Sequence, residues 1–435
     1  MKSYLLQVIL ICTLSLSCSR GPTVDEIAES FVKLGLALGE HDADYVDAYH
    51  GPKEWRDEAK AQKKSLEEIL LSANELRTTL FKKAPGSDEM DKLRYTHLTK
   101  MLAALIGRTE ILLGRNLDFD EEAEVLYDAA PPAFPESHFQ QIIAELDREI
   151  PGAGTVLERY ETYRSAFIIP KEKLDTVFKA AIAECRRRTL QHIALPENES
   201  FNLEYVNNKS WSGYNWYQGN SRSLIQINTD LPIYIERAVD LGAHEGYPGH
   251  HLYNLLHEQH LLKERGWIEF SIFPLFAPTG LIAEGSGNYG IEVAFTPDER
   301  LRFEQEVLFP LAGLDPAGAV KYYRIQELVA KLSYAGNEAA RRFLNKVIER
   351  EEAVRWLMDY SLMSQQRAEQ RVKFIEQYRS YVINYNLGQD MVKRYIESRG
   401  GTSGNTEKRW TEFKRLLSMP LLPSDIAVKA EGFEE

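Results

Sequence analysis

The stretch His244-Glu245-Gly246-Tyr247-Pro248-Gly249-His250-His251 combines three imidazoles, one carboxylate and a helix-breaking Pro-Gly pair. Neutral imidazole is a common zinc ligand, and a catalytic zinc typically has three protein ligands and one open position. In a His-Glu-x-x-His helix, the two histidines lie one turn apart and the glutamate beside the first acts as general base. We therefore predict that His244 binds Zn²⁺ and that Glu245 is the catalytic base.

The spacing of the histidines requires a break in the helix. The histidines that follow His244 stand six and seven residues later, and seven residues of straight helix span about 10.5 Å. That is too far for two ligands whose Zn–N bonds measure about 2.0–2.1 Å. Pro248 removes one helical hydrogen bond, and it biases Tyr247 away from helical backbone. We expect a bulge at residues 247–249 that makes His250 the second ligand, with His251 as the alternative.

A third ligand is needed, and Glu284 is the best candidate. It lies 34 residues after His250, in a segment that reads as a second helix. Glu292, two turns later, is expected to hold a histidine N–H from behind. The competing interpretation is a structural metal with four protein ligands, in which His251 is the fourth and Glu245 is idle.

The rest of the chain reads as mainly helical. Apolar residues recur at helical spacing in 65–83, 90–113 and 171–195, whereas 201–229 has the alternation of a small sheet and 42–55 reads as a loop. We predict a mainly α fold in two helical halves around a cleft, with the β element beside the site. The halves are an N-terminal helical region, 24–200, and a catalytic region, 201–435.

The first residues indicate export. Lys2, a short apolar run and Ser17-Cys18 are typical of a signal peptide over 1–17, with Cys18 lipidated and 18–23 as a linker. We expect a lipoprotein of the cell envelope that contacts the membrane through its N-terminal lipid only. The net charge of -13 argues against nucleic acid as a partner.

Several motifs together resemble the bacterial domain-of-unknown-function 885 family, which is related to glutamate-zincin metallopeptidases. The resemblance runs from about Asp42 to about Tyr334, and it is carried by the 244–251 signature, Glu284-Gly285, and the segments 45–49, 227–229 and 321–325. It implies a zincin-like fold, a zinc bound by His244, His250 and Glu284, and Glu245 as general base. The chain departs from the family at Ser286-Gly287-Asn288, where many members carry bulkier residues.

These features predict a zinc-dependent hydrolase, a metallopeptidase that cleaves a peptide or small amide with water activated by Glu245 and zinc. An esterase or amidase with the same chemistry remains the alternative. There is no Gly-x-x-x-x-Gly-Lys-Ser/Thr or Gly-x-Ser-x-Gly motif, which argues against nucleotide chemistry and an elbow-type serine hydrolase.

Four tyrosines are candidates for stabilising a developing oxyanion: Tyr289, Tyr323, Tyr381 and Tyr385. Tyr323 is preferred because the family resemblance covers it. Arg324 is expected to grip a substrate carboxylate, with a surface ion pair as the alternative. The strand 224–228 is expected to pair with an extended peptide, and Tyr217 to shape the substrate pocket or simply to pack the turn.

Overall fold

The computed structural model describes residues 21–428. The predicted signal peptide and the first half of the linker, residues 18–20 with Cys18, lie outside these residues. Within the described residues, no helix combines the length and apolar character that a membrane span requires.

Within the described residues, eight α-helices precede the main sheet, and side-chain caps define where several of them begin. Thr23 and Ser65 each form a capping box with the glutamate three residues later, so that the first turn's free N–H groups are bonded. The helices are α1 (Val24–Gly39), α2 (Lys53–Gln62), α3 (Leu66–Phe81), α4 (Glu89–Leu112), α5 (Phe119–Tyr127), α6 (Glu136–Glu149), α7 (Val156–Arg164) and α8 (Leu174–Leu190).

The β structure consists of two small sheets. Strands β2 (Ser200–Val206), β3 (Gly213–Gly219) and β4 (Arg222–Asn228) form the first, in which β4 lies centrally, parallel to β2 and antiparallel to β3. The second pairs β1 (Val46–Tyr49) with β5 (Ile272–Pro274). The sequence predicted the first sheet correctly, but the prediction of a loop over 42–55 was wrong at β1 and at the start of α2. Such a four-residue strand has too few residues to show alternation.

The remaining elements are helical apart from β5. They are α9 (Glu236–Leu241), α10 (His250–His257), α11 (Pro278–Ala294), α12 (Pro297–Phe303), α13 (Phe309–Ala312), α14 (Ala319–Ala330), α15 (Ala335–Leu344), α16 (Arg350–Ser361), α17 (Gln365–Tyr378), α18 (Ile383–Ser398), α19 (Thr406–Leu417) and α20 (Pro423–Ile426). The prediction of a mainly α fold with a small β element is therefore confirmed.

The hydrophobic core does not separate at residue 200. One continuous cluster of buried side chains runs from Ile27 in α1 to Ile426 in α20, and a smaller one joins α6 and α7 to α14 through α17. Both clusters combine helices from the two predicted regions. The boundary at residue 200 therefore remains a prediction, based on the change from helical spacing to strand-like alternation in the sequence.

Helices α11 and α18 cross at very short distance, and this crossing positions the site. A methyl group at Gly285 would lie 2.4 Å from the Gly388 carbonyl oxygen, so the two backbones can approach only because neither residue has a side chain. The crossing brings Tyr381, which lies just before α18, and Tyr385, in the first turn of α18, beside Glu284 of α11.

Candidate metal centre

The helix that carries His244 ends just after it, as the sequence predicts. After α9, residues Gly242–Gly246 form a wider π-helical turn, Tyr247 is extended, and a new helix begins at His250. The Tyr247-Pro248 peptide bond is cis, and the Gly249 N–H donates to the Ala243 carbonyl at 2.9 Å. The break folds the chain back, so that the imidazoles of His244 and His250 lie with ring centroids 4.5 Å apart.

Three of the predicted ligand atoms converge. Glu284 Oε2 lies 3.1 Å from His244 Nε2 and 3.7 Å from His250 Nε2, and all three side chains are largely buried. Atoms of His244, Glu245 and His250 also lie within 4.8 Å of one another, which places Glu245 beside the same point. The structure thus brings together the four residues of the predicted catalytic centre.

The hydrogen-bond network determines which nitrogen of His244 faces Glu284. The Asn288 amide nitrogen donates to the Tyr385 carbonyl at 2.9 Å, so its oxygen must accept from His244 Nδ1–H, also at 2.9 Å. When the ring is neutral, His244 Nε2 therefore carries a lone pair. It faces Glu284 Oε2 at 3.1 Å, and that buried oxygen has no hydrogen-bond partner in residues 21–428. The two atoms need a cation between them, either a proton on the ring or a metal ion.

Tyr381 fixes the other oxygen of Glu284. Its hydroxyl donates to Glu284 Oε1 at 2.6 Å, inside a buried environment. Oε2 is left pointing at the histidines. This arrangement favours Glu284 over Glu245 as the third ligand, because one carboxylate oxygen is oriented by a donor and the other is free.

The charges around the site favour a positively charged group at its centre. Burial opposes a charged imidazole, yet the carboxylates of Glu284, Glu245 and Asp47 raise the pKa of His250 to about 9. Burial works against ionisation of Glu284 as well, but His250 and His244 hold the pKa of Glu284 well below its usual range. A divalent ion would supply the positive charge that a proton on His250 supplies here, and its binding would release that proton.

His251 does not face the candidate metal centre but forms hydrogen bonds with other residues. Its ring is fully buried; Nδ1 lies 2.7 Å from the Ser223 hydroxyl and Nε2 lies 3.0 Å from Glu199. Both nitrogens are therefore occupied by protein partners. This leaves the structural-metal interpretation without its fourth ligand and accounts for His251 as a residue that ties α10 to the sheet.

The site opens into a cavity of about 1380 Å³ lined by helices of both predicted regions. Asp47 of β1 lies in its wall and accepts a hydrogen bond from Tyr214. Burial, opposed by His250 and reinforced by Glu284 and Glu245, raises the pKa of Asp47 to about 7. Tyr385 lies over His244, with ring centroids 6.4 Å apart. The cavity is large enough for a short peptide.

The structure does not place three of the other predicted site residues in contact with the candidate ligands. Tyr323 and Arg324 of α14 line the cavity, but neither contacts the ligand residues. The Tyr323 hydroxyl is buried without a hydrogen-bond partner in the described chain. Arg324 is largely exposed and forms an ion pair with Glu149 at 2.5 Å. Glu292 bonds Gln389 and Lys393 rather than a histidine, and Asn288 takes its expected place.

The predicted peptide-binding strand, 224–228, and Tyr217 do not line the cavity. Since β4 is the central strand, both of its edges already pair with β2 and β3. Tyr217 lies on the buried face of β3 and donates to Glu258, outside the cavity lining. Its neighbour Tyr214, on the other face, does reach the cavity, because side chains alternate along a strand.

Sequence reasoning missed Asp47, Asn288 and Arg371. Asp47 belongs to the short strand read as a loop, and Arg371 lies on α17, far from the motif along the chain. A signal for Asn288 did exist. The departure Ser286-Gly287-Asn288 lies directly against His244, where a methyl on Gly287 would lie 2.9 Å from Nδ1.

Comparisons with known proteins support the fold. Neither a scan against family models nor a search of curated proteins finds a match. Among solved structures, the chain resembles "the putative lipoprotein from Colwellia psychrerythraea" with a TM-score of 0.50 and 15% identity, over 94% of this chain and 76% of that one. At this identity the likeness shows a shared fold.

Proposed function

We propose that this protein is a zinc-dependent hydrolase, a peptidase that cleaves an amide bond of a short substrate held in the cavity. The observation that carries the proposal is the pair of facing acceptors, His244 Nε2 and Glu284 Oε2 at 3.1 Å, with His250 Nε2 completing the triad. Two imidazoles and one carboxylate are a common ligand set of catalytic zinc.

The residues fit the ion in number and in chemistry. His244, His250 and Glu284 would hold it, and Asn288 and Tyr381 orient two of these ligands from behind. When bound, zinc would supply a Lewis acid that polarises a carbonyl oxygen and makes water more acidic. Three protein ligands leave a coordination position open, as catalytic sites require.

Glu245 is placed to move the proton. Its carboxylate is buried beside the two histidines, and Gly213 faces its Oε1 so closely that a methyl there would lie 2.8 Å away. Burial, outweighing the neighbouring histidines, raises the pKa of Glu245 above its usual range. A carboxylate with a raised pKa is a better base near neutral pH. Glu245 would accept a proton from the attacking water and deliver it to the leaving nitrogen.

Tyr385 is better placed than Tyr323 to assist. Its ring lies over His244, and its hydroxyl makes no hydrogen bond within residues 21–428. Tyr381, in contrast, already donates to Glu284. We assign to Tyr385 the role of donating a hydrogen bond to the developing oxyanion.

The matched test is Glu245→Gln, which keeps shape and removes the base. We expect the variant to bind one zinc per chain like the wild type, and its hydrolysis of a peptide library to fall by at least about 10²-fold. Elemental analysis measures the zinc, and mass spectrometry measures the products. Wild-type protein that binds zinc and cleaves no peptide would refute the peptidase, and an ester library in parallel would identify an esterase.

We also propose that the chain is an exported lipoprotein of the cell envelope. The proposal rests on the signal-like residues 1–17 and on Cys18, and the name of the Colwellia psychrerythraea protein is consistent with it. Metabolic labelling with a fatty acid, compared with Cys18→Ser, tests it. Labelling of the wild type and loss of label in the variant are expected; an unlabelled wild type would contradict it.

A further inference from the structure

One face of α17 forms a wall of the catalytic cavity. Residues at helical spacing along this face line the cavity: Arg367, Gln370, Arg371, Phe374 and Tyr378. The opposite face, which includes Lys373, is exposed. The wall therefore presents positive charge to a cavity whose catalytic end is rich in carboxylates.

Within the described residues, Arg371 lacks the ion pair that three other arginines of the cavity make. Arg237, Arg300 and Arg324 each pair with a carboxylate. Arg371 makes no ion pair and no hydrogen bond within residues 21–428; its guanidinium instead packs over two rings, 4.8 Å from the centroid of Phe374 and 5.8 Å from that of Tyr385. Burial of this charge lowers the pKa of Arg371. A buried charge without a partner is unfavourable, so an anionic group that paired with Arg371 would be stabilising.

The position of Arg371 relates it to the reacting bond. The Tyr385 ring lies close to both groups: its centroid is 5.8 Å from the Arg371 guanidinium carbon and 6.4 Å from the centroid of the His244 ring. One or two residues of extended peptide span roughly 3.5–7 Å. A peptide bond at the catalytic centre would therefore place a group one or two residues further along within reach of Arg371.

We propose that Arg371 binds a carboxylate of the substrate, close to the scissile bond. An arginine fork matches a carboxylate with two parallel charge-assisted hydrogen bonds, and the aromatic packing holds the fork in place. Two sources share this chemistry: the free C-terminus of a short peptide and an acidic side chain. The C-terminus is the general case, and it makes the enzyme a carboxypeptidase or a dipeptidase. The assignment of the scissile bond rests on the proposed hydrolase function.

Binding tests the proposal without requiring turnover. Tri-alanine, tri-alanine amide and Ala-Ala-Glu amide are titrated by calorimetry into zinc-loaded Glu245→Gln protein, and again with Arg371→Met added. Tri-alanine is expected to bind at least tenfold more tightly than its amide, and Arg371→Met to reduce the difference below twofold. Lys373→Met is the matched control, since it removes one positive charge from the exposed face of the same helix, and it should keep the preference.

The outcomes separate the two proposals. Equal binding of tri-alanine and its amide, with tight binding of Ala-Ala-Glu amide that Arg371→Met abolishes, would assign the carboxylate to a side chain. Equal binding of all three peptides, or a preference that survives Arg371→Met, would overturn the role of Arg371. A carboxylate preference in a wild type that hydrolyses nothing would overturn the hydrolase and leave the carboxylate site standing. If Arg371→Met does not fold, Arg371→Lys, which keeps the charge without the fork, should still lower the preference at least threefold.

Discussion

Gly287→Ala is the perturbation that tests the support of the site most sharply, because it adds one methyl group outside the ligand set. Gly287 lies on α11, one turn beyond Glu284 and beside the His244 ring. The methyl carbon would lie 2.9 Å from His244 Nδ1 and 3.0 Å from Cε1, whereas ordinary contacts begin at 3.4 Å. The ring must therefore retreat by about half an ångström.

That displacement exceeds what a metal site tolerates. Ligand distances in zinc sites hold to within about 0.2 Å, and the same movement disturbs the 2.9 Å hydrogen bond between Nδ1 and Asn288. Changes in groups that orient ligands typically weaken metal affinity by about 10–100-fold. The metal-free fold should survive, since alanine is favoured over glycine inside a helix by about 1 kcal/mol.

The assay is a competitive zinc titration against a fluorescent chelator, paired with urea unfolding of the metal-free protein. We expect a zinc Kd raised about 10–100-fold and a free energy of unfolding within about 1 kcal/mol of the wild type. Gly336→Ala is the control, because a methyl there, also on a helix, meets no atom within 4 Å. Wild-type zinc affinity in Gly287→Ala, or an equal loss in Gly336→Ala, would refute the reasoning.

Four further predictions concern neighbouring residues. His251→Ala should leave zinc binding intact and lower the free energy of unfolding by about 2–4 kcal/mol, because it leaves Ser223 and Glu199 buried without their partner; loss of zinc with an intact fold would make His251 a ligand. Tyr381→Phe should weaken zinc binding about tenfold by freeing Glu284 Oε1, and an unchanged zinc titration would contradict this. Tyr385→Phe should lower kcat about 10²-fold with zinc retained, whereas Tyr323→Phe should not; steady-state kinetics showing the reverse order would restore the sequence-based choice of Tyr323. Burial opposes ionisation of Glu258, but hydrogen bonds from Tyr217 and Lys263 and two backbone N–H groups lower the pKa of Glu258 to about 2. This pKa lies below the unfolded value of about 4.3. The stability that ionised Glu258 contributes to the fold is therefore complete above about pH 5 and is lost as the pH falls toward 2. Glu258→Gln should therefore remove about 2 kcal/mol at pH 7, after allowance for solvent screening, and flatten the acid limb of the stability profile; urea unfolding curves with an unchanged acid limb would contradict it.

The convergence of His244 and His250 could be predicted because its signal is local. The break at Tyr247 to Gly249 follows from proline chemistry, and it makes His250 rather than His251 reach the centre. The long helices were equally accessible, since apolar spacing and capping residues act within one or two turns.

The residues that support and shape the site could not be found in the same way. Tyr381 and Tyr385 were among four candidate tyrosines, but only the crossing of α18 with α11 shows that these two lie beside Glu284. Arg371 lies near the site because α17 lines the cavity, and nothing in its own segment indicates that position. Tyr323 was chosen by family resemblance and Arg324 for its carboxylate-binding chemistry, yet α14 places both elsewhere on the cavity wall. Local spacing shows which residues share one face of a helix. Which other helix packs against that face depends on the fold of the whole chain.

Diffraction at the zinc absorption edge, on crystals grown with zinc, tests the central claim most directly. The anomalous map should show one strong peak within about 2.0–2.2 Å of His244 Nε2, His250 Nε2 and Glu284 Oε2, with Glu245 beside it and unbound. A peak coordinated by His251 and Glu199, or no peak near His244, would contradict the metal centre and with it the proposed hydrolase.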